Sequence, residues 1–199
     1  MADGTRKPRG DRAQRRVWEE SWKELAVIAC APWFVVAHDR IDSAAAWTLP
    51  VRVEGPSPFT LVGLWSVTVA GYPTYVRQLD QAADWIERCT DGPVVLAGDF
   101  NAPISSSQGH YDTVASRLEA LGLVDAYSTS RDLARDQAPE EPTYYHRWRR
   151  ENPFHIDHVV GPRAWMTDAS VRVGDFDTWV GSGRVEEERS RAADRRHPD

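Results

Sequence analysis

Apolar residues come in short runs along this chain, separated by polar stretches rich in proline and glycine. Val94 to Ala97 are unbroken apolar residues ahead of Gly98 and Asp99, a pattern that suits a strand buried on both faces. Leu25–Ala29, Trp33–Ala37, Ala46–Val53 and Phe59–Val69 are rich in Val, Leu, Trp or Phe and bounded by Pro, Gly or Asp. They are expected as strands of a meander, the first two meeting at a turn around Pro32. Tyr72, Val76, Leu79, Ala83 and Ile86 recur at helical spacing with Asp, Gln, Glu and Arg on the other side. This predicts an amphipathic helix that ends near Asp91-Gly92 and leads into the Val94 strand. Residues 102–112 read as a polar loop, and Val114, Leu118 and Leu121 predict a second helix stopped at Gly122. A polar insertion over 131–142 precedes expected strands at Thr143–His146, Phe154–Val160 and Val171–Val173. Interleaved strands and helices predict a layered α/β or α+β domain whose functional loops leave the strand ends.

Composition narrows this picture. With 199 residues, 41% hydrophobic and 27% charged, the chain fits one domain, expected over 23–180, between charged flexible segments at 1–22 and 181–199. The longest apolar run, Leu25 to Ala37, falls short of the ~20 residues of a membrane helix, so no membrane span is expected. The basic N-terminus lacks a secretory h-region and cleavage site, which predicts a cytoplasmic protein. Cys30 and Cys89 lie far apart without Cys-x-x-Cys spacing and are expected as buried free thiols. A net charge of −6 argues against broad adhesion to nucleic acid through basic side chains. A divalent cation held by carboxylates would still let such a chain work on phosphate esters.

Two motifs carry candidate chemistry. In Gly98-Asp99-Phe100-Asn101, an extended chain would aim Asp99 and Asn101 at one spot while Phe100 turns into the core. Leaving neutral polar groups buried and unpaired costs roughly 1–3 kcal/mol each, so a substrate, water or metal should meet them. The structural alternative is an Asx-turn that simply ends the strand. In Phe154-His-Ile-Asp-His-Val-Val160, alternation puts His155 and Asp157 on one face, as a carboxylate that orients an imidazole or as a strand-edge ion pair. Two polar interruptions of apolar strands point to a shared site. Of nine tryptophans, Trp18, Trp22, Trp33, Trp47, Trp65 and Trp85 mostly occupy core-type positions, whereas Trp148 lies among Arg147, Arg149 and Arg150. That cationic stretch is expected as a phosphate-facing loop, with a ligand-free solvated loop as the alternative.

Taken together, Gly98-Asp99-Phe100-Asn101 after an apolar strand and His155-Ile156-Asp157-His158 on a later one resemble the endonuclease/exonuclease/phosphatase superfamily, which is similar to DNase I and the exonuclease-III-type nucleases. The resemblance extends over residues 25–180. It implies a four-layer α/β sandwich of two mixed sheets flanked by helices, and hydrolysis of phosphodiesters or phosphomonoesters with Mg²⁺, or Mn²⁺ in its place. The substrate would be a phosphate ester, nucleic acid among the candidates. Asp99 would orient or deprotonate the attacking water, Asn101 would hydrogen-bond the charge developing on phosphorus, and Asp157 would orient a catalytic histidine. His155, Arg147 and Arg149 would contact substrate phosphate.

The chain also departs from the family pattern. The family's early Asn and Gln-Glu strands have no counterpart before Leu25, and Glu19, Glu20 and Glu24 sit in a charged helix-like context, so no metal ligand is assigned. Leu64-Trp65-Ser66 stands where many members carry His or Tyr, with Tyr72 or Tyr75 as substitutes. In place of a closing Ser-Asp-His the chain reads Gly181-Ser-Gly-Arg184, and His197 follows Arg196. An incomplete sandwich is therefore expected, from a truncated or frame-shifted gene, giving a marginal monomer or one that self-associates. One alternative is an inactive remnant or binding module of the same fold. A calcineurin-like two-metal phosphoesterase is the other; it expects Asp-x-His and Gly-Asn-His, and Gly109-His110-Tyr111-Asp112 matches poorly.

Overall fold

Strand-forming runs with one buried and one half-buried face have to find neighbours, and here they join a single mixed sheet. The computed structural model describes residues 25–68, 71, 73–102, 111–134, 137 and 139–178; the expected terminal segments, Tyr72, Gly109 and His110 lie outside them. The strands are β1 (Phe34–Ala37), β2 (Thr48–Glu54), β3 (Phe59–Trp65), β4 (Val94–Asp99), β5 (Leu123–Asp125), β6 (Tyr144–Tyr145), β7 (Pro153–Phe154) and β8 (Asp157–Pro162). Six of them form a sheet in the order β1-β2-β3-β4-β8-β5, and β6 and β7 form a separate ribbon. The expected meander is present as antiparallel β1-β2-β3. β4 is parallel to β3, an arrangement that requires a crossover, and the amphipathic helix α1 (Tyr75–Cys89) supplies it. β8 lies antiparallel between β4 and β5.

The Thr74 side chain accepts from the Arg77 N–H and starts α1 one turn after the expected Tyr72. Leu79, Ala82, Ala83, Trp85 and Ile86 then pack on Val62, Leu64, Leu96 and Val160, joined by Val114 and Leu118 of α2 (Tyr111–Ala120). The helices cover one face of the sheet. On the other face Leu49, Val51 and Val53 pack with Leu25, Val27, Trp33, Val35, Phe59 and Leu61, while Val159 on β8 stays 47% exposed. The α/β class is as expected, and among the described residues one large mixed sheet is present beside the small ribbon. No helix among them is long and apolar enough to cross a membrane.

Several expectations need correction. Leu25–Ala29 is irregular, because its apolar residues lie across β2 and β3 instead of joining an edge. Cys30, at the end of this segment, is accordingly exposed, and Cys89 is half-buried; neither forms a disulfide. Val171–Val173 forms no strand. Phe154–Val160 is interrupted, since the N–H groups of Ile156 and Asp157 both donate to Thr143 Oγ1 and not to a strand partner. The short elements β5, α3 (Ala126–Ser130) and α4 (Arg163–Met166) were not anticipated.

Helices α1 and α2 are also joined by charge. Arg117 reaches Asp80 at 2.6 Å, Glu87 at 2.9 Å, and Asp84. Partly exposed pairs are individually weak, but one guanidinium here serves three carboxylates. Arg117→Met is expected to lose about 1 kcal/mol of stability at low salt. The Tm difference from wild type should shrink in 1 M NaCl, as screening removes the attraction and the residual carboxylate repulsion together.

Candidate active site

Val94 and Leu96 point into the helix-covered core, so strand alternation turns Val95, Ala97 and Asp99 to the opposite face. On β8, His158 and Val160 are buried, and Asp157 and Val159 therefore face the same way as Asp99. Antiparallel register sets Asp99 directly across from Asp157. The result is two carboxylates on adjacent strands, at the edge of the less-covered face. Burial first, and then the charge of Asp157, push the Asp99 carboxyl up to about 6. Hydrogen bonds from the Asn101 backbone, the Asn101 side chain and Trp65 oppose that rise.

Phe100 is fully buried, as expected, and its N–H donates to Ile156 O at 2.8 Å. Asn101 does not continue the extended chain. It adopts φ 49° and donates its N–H to Asp99 Oδ1 at 2.9 Å, while its Nδ2 donates to Ser66 O at 2.7 Å. The Asx-turn and the presented carboxylate are thus one structure: the turn is what holds Asp99 at the strand end.

In the second motif the hydrogen-bonded imidazole–carboxylate pair is not His155 with Asp157. His158 Nδ1 donates to Asp125 Oδ2 at 3.1 Å, with the His158 side chain fully buried. Burial alone would raise the Asp125 carboxyl, but hydrogen bonds from His158 and from the Ser128 N–H, which Asp125 caps at 2.8 Å, hold it below its ordinary value. His155 precedes β8, is itself buried, and donates Nδ1–H to Glu141 O at 2.6 Å. Its ring lies 4.6 Å from Tyr127 and 5.2 Å from His158, and burial lowers its pKa, so it is neutral near pH 7. Asp125 was missed in the sequence, where its one cue, a place after the apolar pair Leu123-Val124, is too short to set a period.

Arg147 and Arg149 are exposed at the turn joining β6 to β7. Arg147 and Trp148 both adopt positive φ, at 54° and 56°, and Trp148 is 72% exposed. Arg150, by contrast, pairs with Asp177 at 2.5 Å and lies over the Phe176 ring. Between this ribbon and residues 171–174 lies a cavity of about 590 Å³, bounded by Tyr127, Tyr144, Trp148, His155 and Val159, with Asp157 in its wall. Asp157, His155 and the aromatic turn therefore meet at one cavity, with Asp99 beside it across the strand pair. Among the described residues no group of three or more His, Cys, Asp or Glu could hold a metal ion. At this face Asp99 and Asp157 are hard-oxygen donors set opposite each other.

A model of the Endonuclease/Exonuclease/phosphatase family matches residues 12–178 of the chain. No curated protein matches it. Similar solved structures include an AP endonuclease from Archaeoglobus fulgidus, at 14% identity and TM-score 0.46, covering 66% of this chain and 59% of that one. A truncated TDP2 from Caenorhabditis elegans is 15% identical with TM-score 0.41, covering 66% and 54%. The 3'-5' exonuclease NExo from Neisseria meningitidis is 16% identical with TM-score 0.40, covering 59% and 53%. The chain thus spans little more than half the length of these three structures, and at such scores they are likenesses only.

Proposed function

Because the chain belongs to the endonuclease/exonuclease/phosphatase family, we propose that it hydrolyses a phosphate ester at the Asp99–Asp157 face with a divalent metal ion, magnesium or manganese. The observation that carries this reading is the half-buried Asp99 carboxyl, held opposite Asp157 with a pKa of about 6. Such a group is ionised just above pH 6 and can still accept a proton from an attacking water, which suits a general base near neutrality.

Two opposed carboxylates repel each other, and a hard cation would relieve that repulsion. Mg²⁺ is commonly held by one or two carboxylates together with substrate phosphates, so Asp99 and Asp157 fit as its protein ligands. When bound, the ion supplies positive charge beside the phosphate oxygens. Asn101 keeps the Asp99 carboxylate oriented, and the side-chain donor it gives to Asp99 is one that a phosphoryl oxygen would compete for. Arg147 and Arg149 would meet substrate phosphates from the exposed turn, while His155, neutral and committed at Nδ1, would serve as a cavity wall. Aromatic walls beside an acidic pair suit an unstacked base, so single-stranded nucleic acid is the substrate class we favour. Two cysteines held as thiols suit a reducing compartment, which supports a cytoplasmic setting.

Hydrolysis of a single-stranded oligonucleotide and of bis(p-nitrophenyl) phosphate is expected with Mg²⁺ or Mn²⁺, to stop on EDTA treatment and to return when the ion is added back. The rate should rise with pH as Asp99 ionises, at an apparent pKa below the value of about 6 that the carboxyl has without the ion, because a bound cation favours the carboxylate. A folded chain with no turnover on either substrate under any of these conditions would instead make it a non-catalytic member of the fold.

A further inference from the structure

Helix α1 was read from the sequence as carrying its glutamines on the solvent side, yet Gln78 is only 2% exposed. Its Oε1 accepts from the Val67 N–H at 3.1 Å, and its Nε2 donates to Val67 O at 2.7 Å and to Pro73 O at 2.8 Å. Ser66 still belongs to the ladder, since its N–H donates to Asp99 O at 2.8 Å. One residue later the chain leaves β4, and the Gln78 amide takes both backbone groups of Val67, as a neighbouring strand would. The carbonyl of Ser66 and the N–H of Val67 belong to the same peptide unit. That unit accepts from Asn101 Nδ2 on one edge and donates to Gln78 Oε1 on the other.

We infer that Gln78 is a positioning residue for the candidate site: it fixes the Ser66–Val67 peptide plane, which in turn fixes the Asn101 side chain and the carboxylate it orients. A planar peptide cannot rotate one edge without the other, so releasing the Val67 N–H frees the carbonyl that holds Asn101. Hydrogen bonds in series also polarise one another, and so the loss of Gln78 Oε1 weakens the Asn101–Ser66 contact as well as its own. The inference rests on the proposed function only for its effect on turnover.

The test uses the full chain carrying Gln78→Met, which keeps the side-chain length and removes all three hydrogen bonds. In the folded variant, Asn101 side-chain NH₂ resonances are expected to move and to exchange with water at least about tenfold faster. If the wild type turns substrate over, kcat should fall about tenfold with KM nearly unchanged. Asn101→Ala with Gln78→Met should then be no slower than Asn101→Ala alone. A lowered Tm with wild-type Asn101 resonances would overturn the inference and leave Gln78 as a helix anchor. Should wild type show no turnover, the functional proposal fails while the Asn101 resonances still decide the role of Gln78. If Gln78→Met does not fold, Gln78→Glu decides it, since the acceptor for the Val67 N–H is kept. Asn101 should then stay in place, and a folded Glu variant that releases it contradicts the inference.

Discussion

Gly98→Ala should destabilise the chain by about 3 kcal/mol or more, a large fraction of the stability of an ordinary domain. Gly98 sits within β4 at φ 142°, a conformation that side chains rarely adopt, and a Cβ there would lie 2.0 Å from Leu64 O and 3.0 Å from Leu64 C. Both obstacles are backbone atoms of β3. They cannot withdraw without pulling β3 away from β4, and with it the ladder that sets Trp65 beside Asp99. Gly161→Ala is the informative comparison. Its Cβ would come 2.5 Å from Met166 Cε, the end of a flexible side chain that can turn aside. Thermal melts should therefore separate the two variants widely, with Gly161→Ala losing only a few degrees. A Gly98→Ala variant that melts within a few degrees of wild type would mean that β3 and β4 are not paired in this register.

Asp99→Asn is expected to lose at least about a thousandfold in turnover, because an amide can neither take up a proton nor carry the charge that a metal ion would meet. It should also gain stability at neutral pH. The folded protein raises the Asp99 carboxyl from its ordinary 3.8 to about 6, so between these values the folded state binds more protons than the unfolded one. Stability contributed by this group is fully present below pH 4 and is lost as pH rises through 6. The amide does not ionise and keeps an acceptor for the Asn101 N–H. Its Tm should exceed that of wild type by a few degrees at pH 7.5 and converge with it near pH 4. A variant that is inactive and also less stable at pH 7.5 would show that Asp99 serves the fold. A functional group held at a cost to stability shows the opposite pattern.

Much of this site could be read from the chain because it sits on long, strongly patterned elements. Val94 to Ala97 do form a strand, although it is buried on one face and half-buried on the other rather than buried on both, and Asp99 and Phe100 follow at its end with the orientations that alternation dictates. The helix α1 was legible for the same reason. What was not legible depends on partners distant in sequence. Asp125 closes a strand of three residues, too short for any period to show, and it finds His158 across an antiparallel pair. His155 bonds to Glu141 O and not to Asp157, and the strand is interrupted just after it, where Thr143 takes the N–H groups of Ile156 and Asp157. Gln78 was read as one more polar residue on an amphipathic helix, and only the course of the chain after β3 turns it inward. The conformation of Asn101 could have been anticipated in part, since asparagine is among the residues that enter the left-handed region most readily.

We propose that the Asp99 carboxylate performs metal-dependent phosphate-ester hydrolysis. The most direct test is the initial rate of bis(p-nitrophenyl) phosphate hydrolysis at pH 7.5 with Mg²⁺, for wild type and Asp99→Asn, each shown to be folded by its melting curve. Turnover that EDTA abolishes is expected in the wild type and is expected to be missing in Asp99→Asn. Equal rates in the two proteins, or none in a folded wild type, would contradict the proposal.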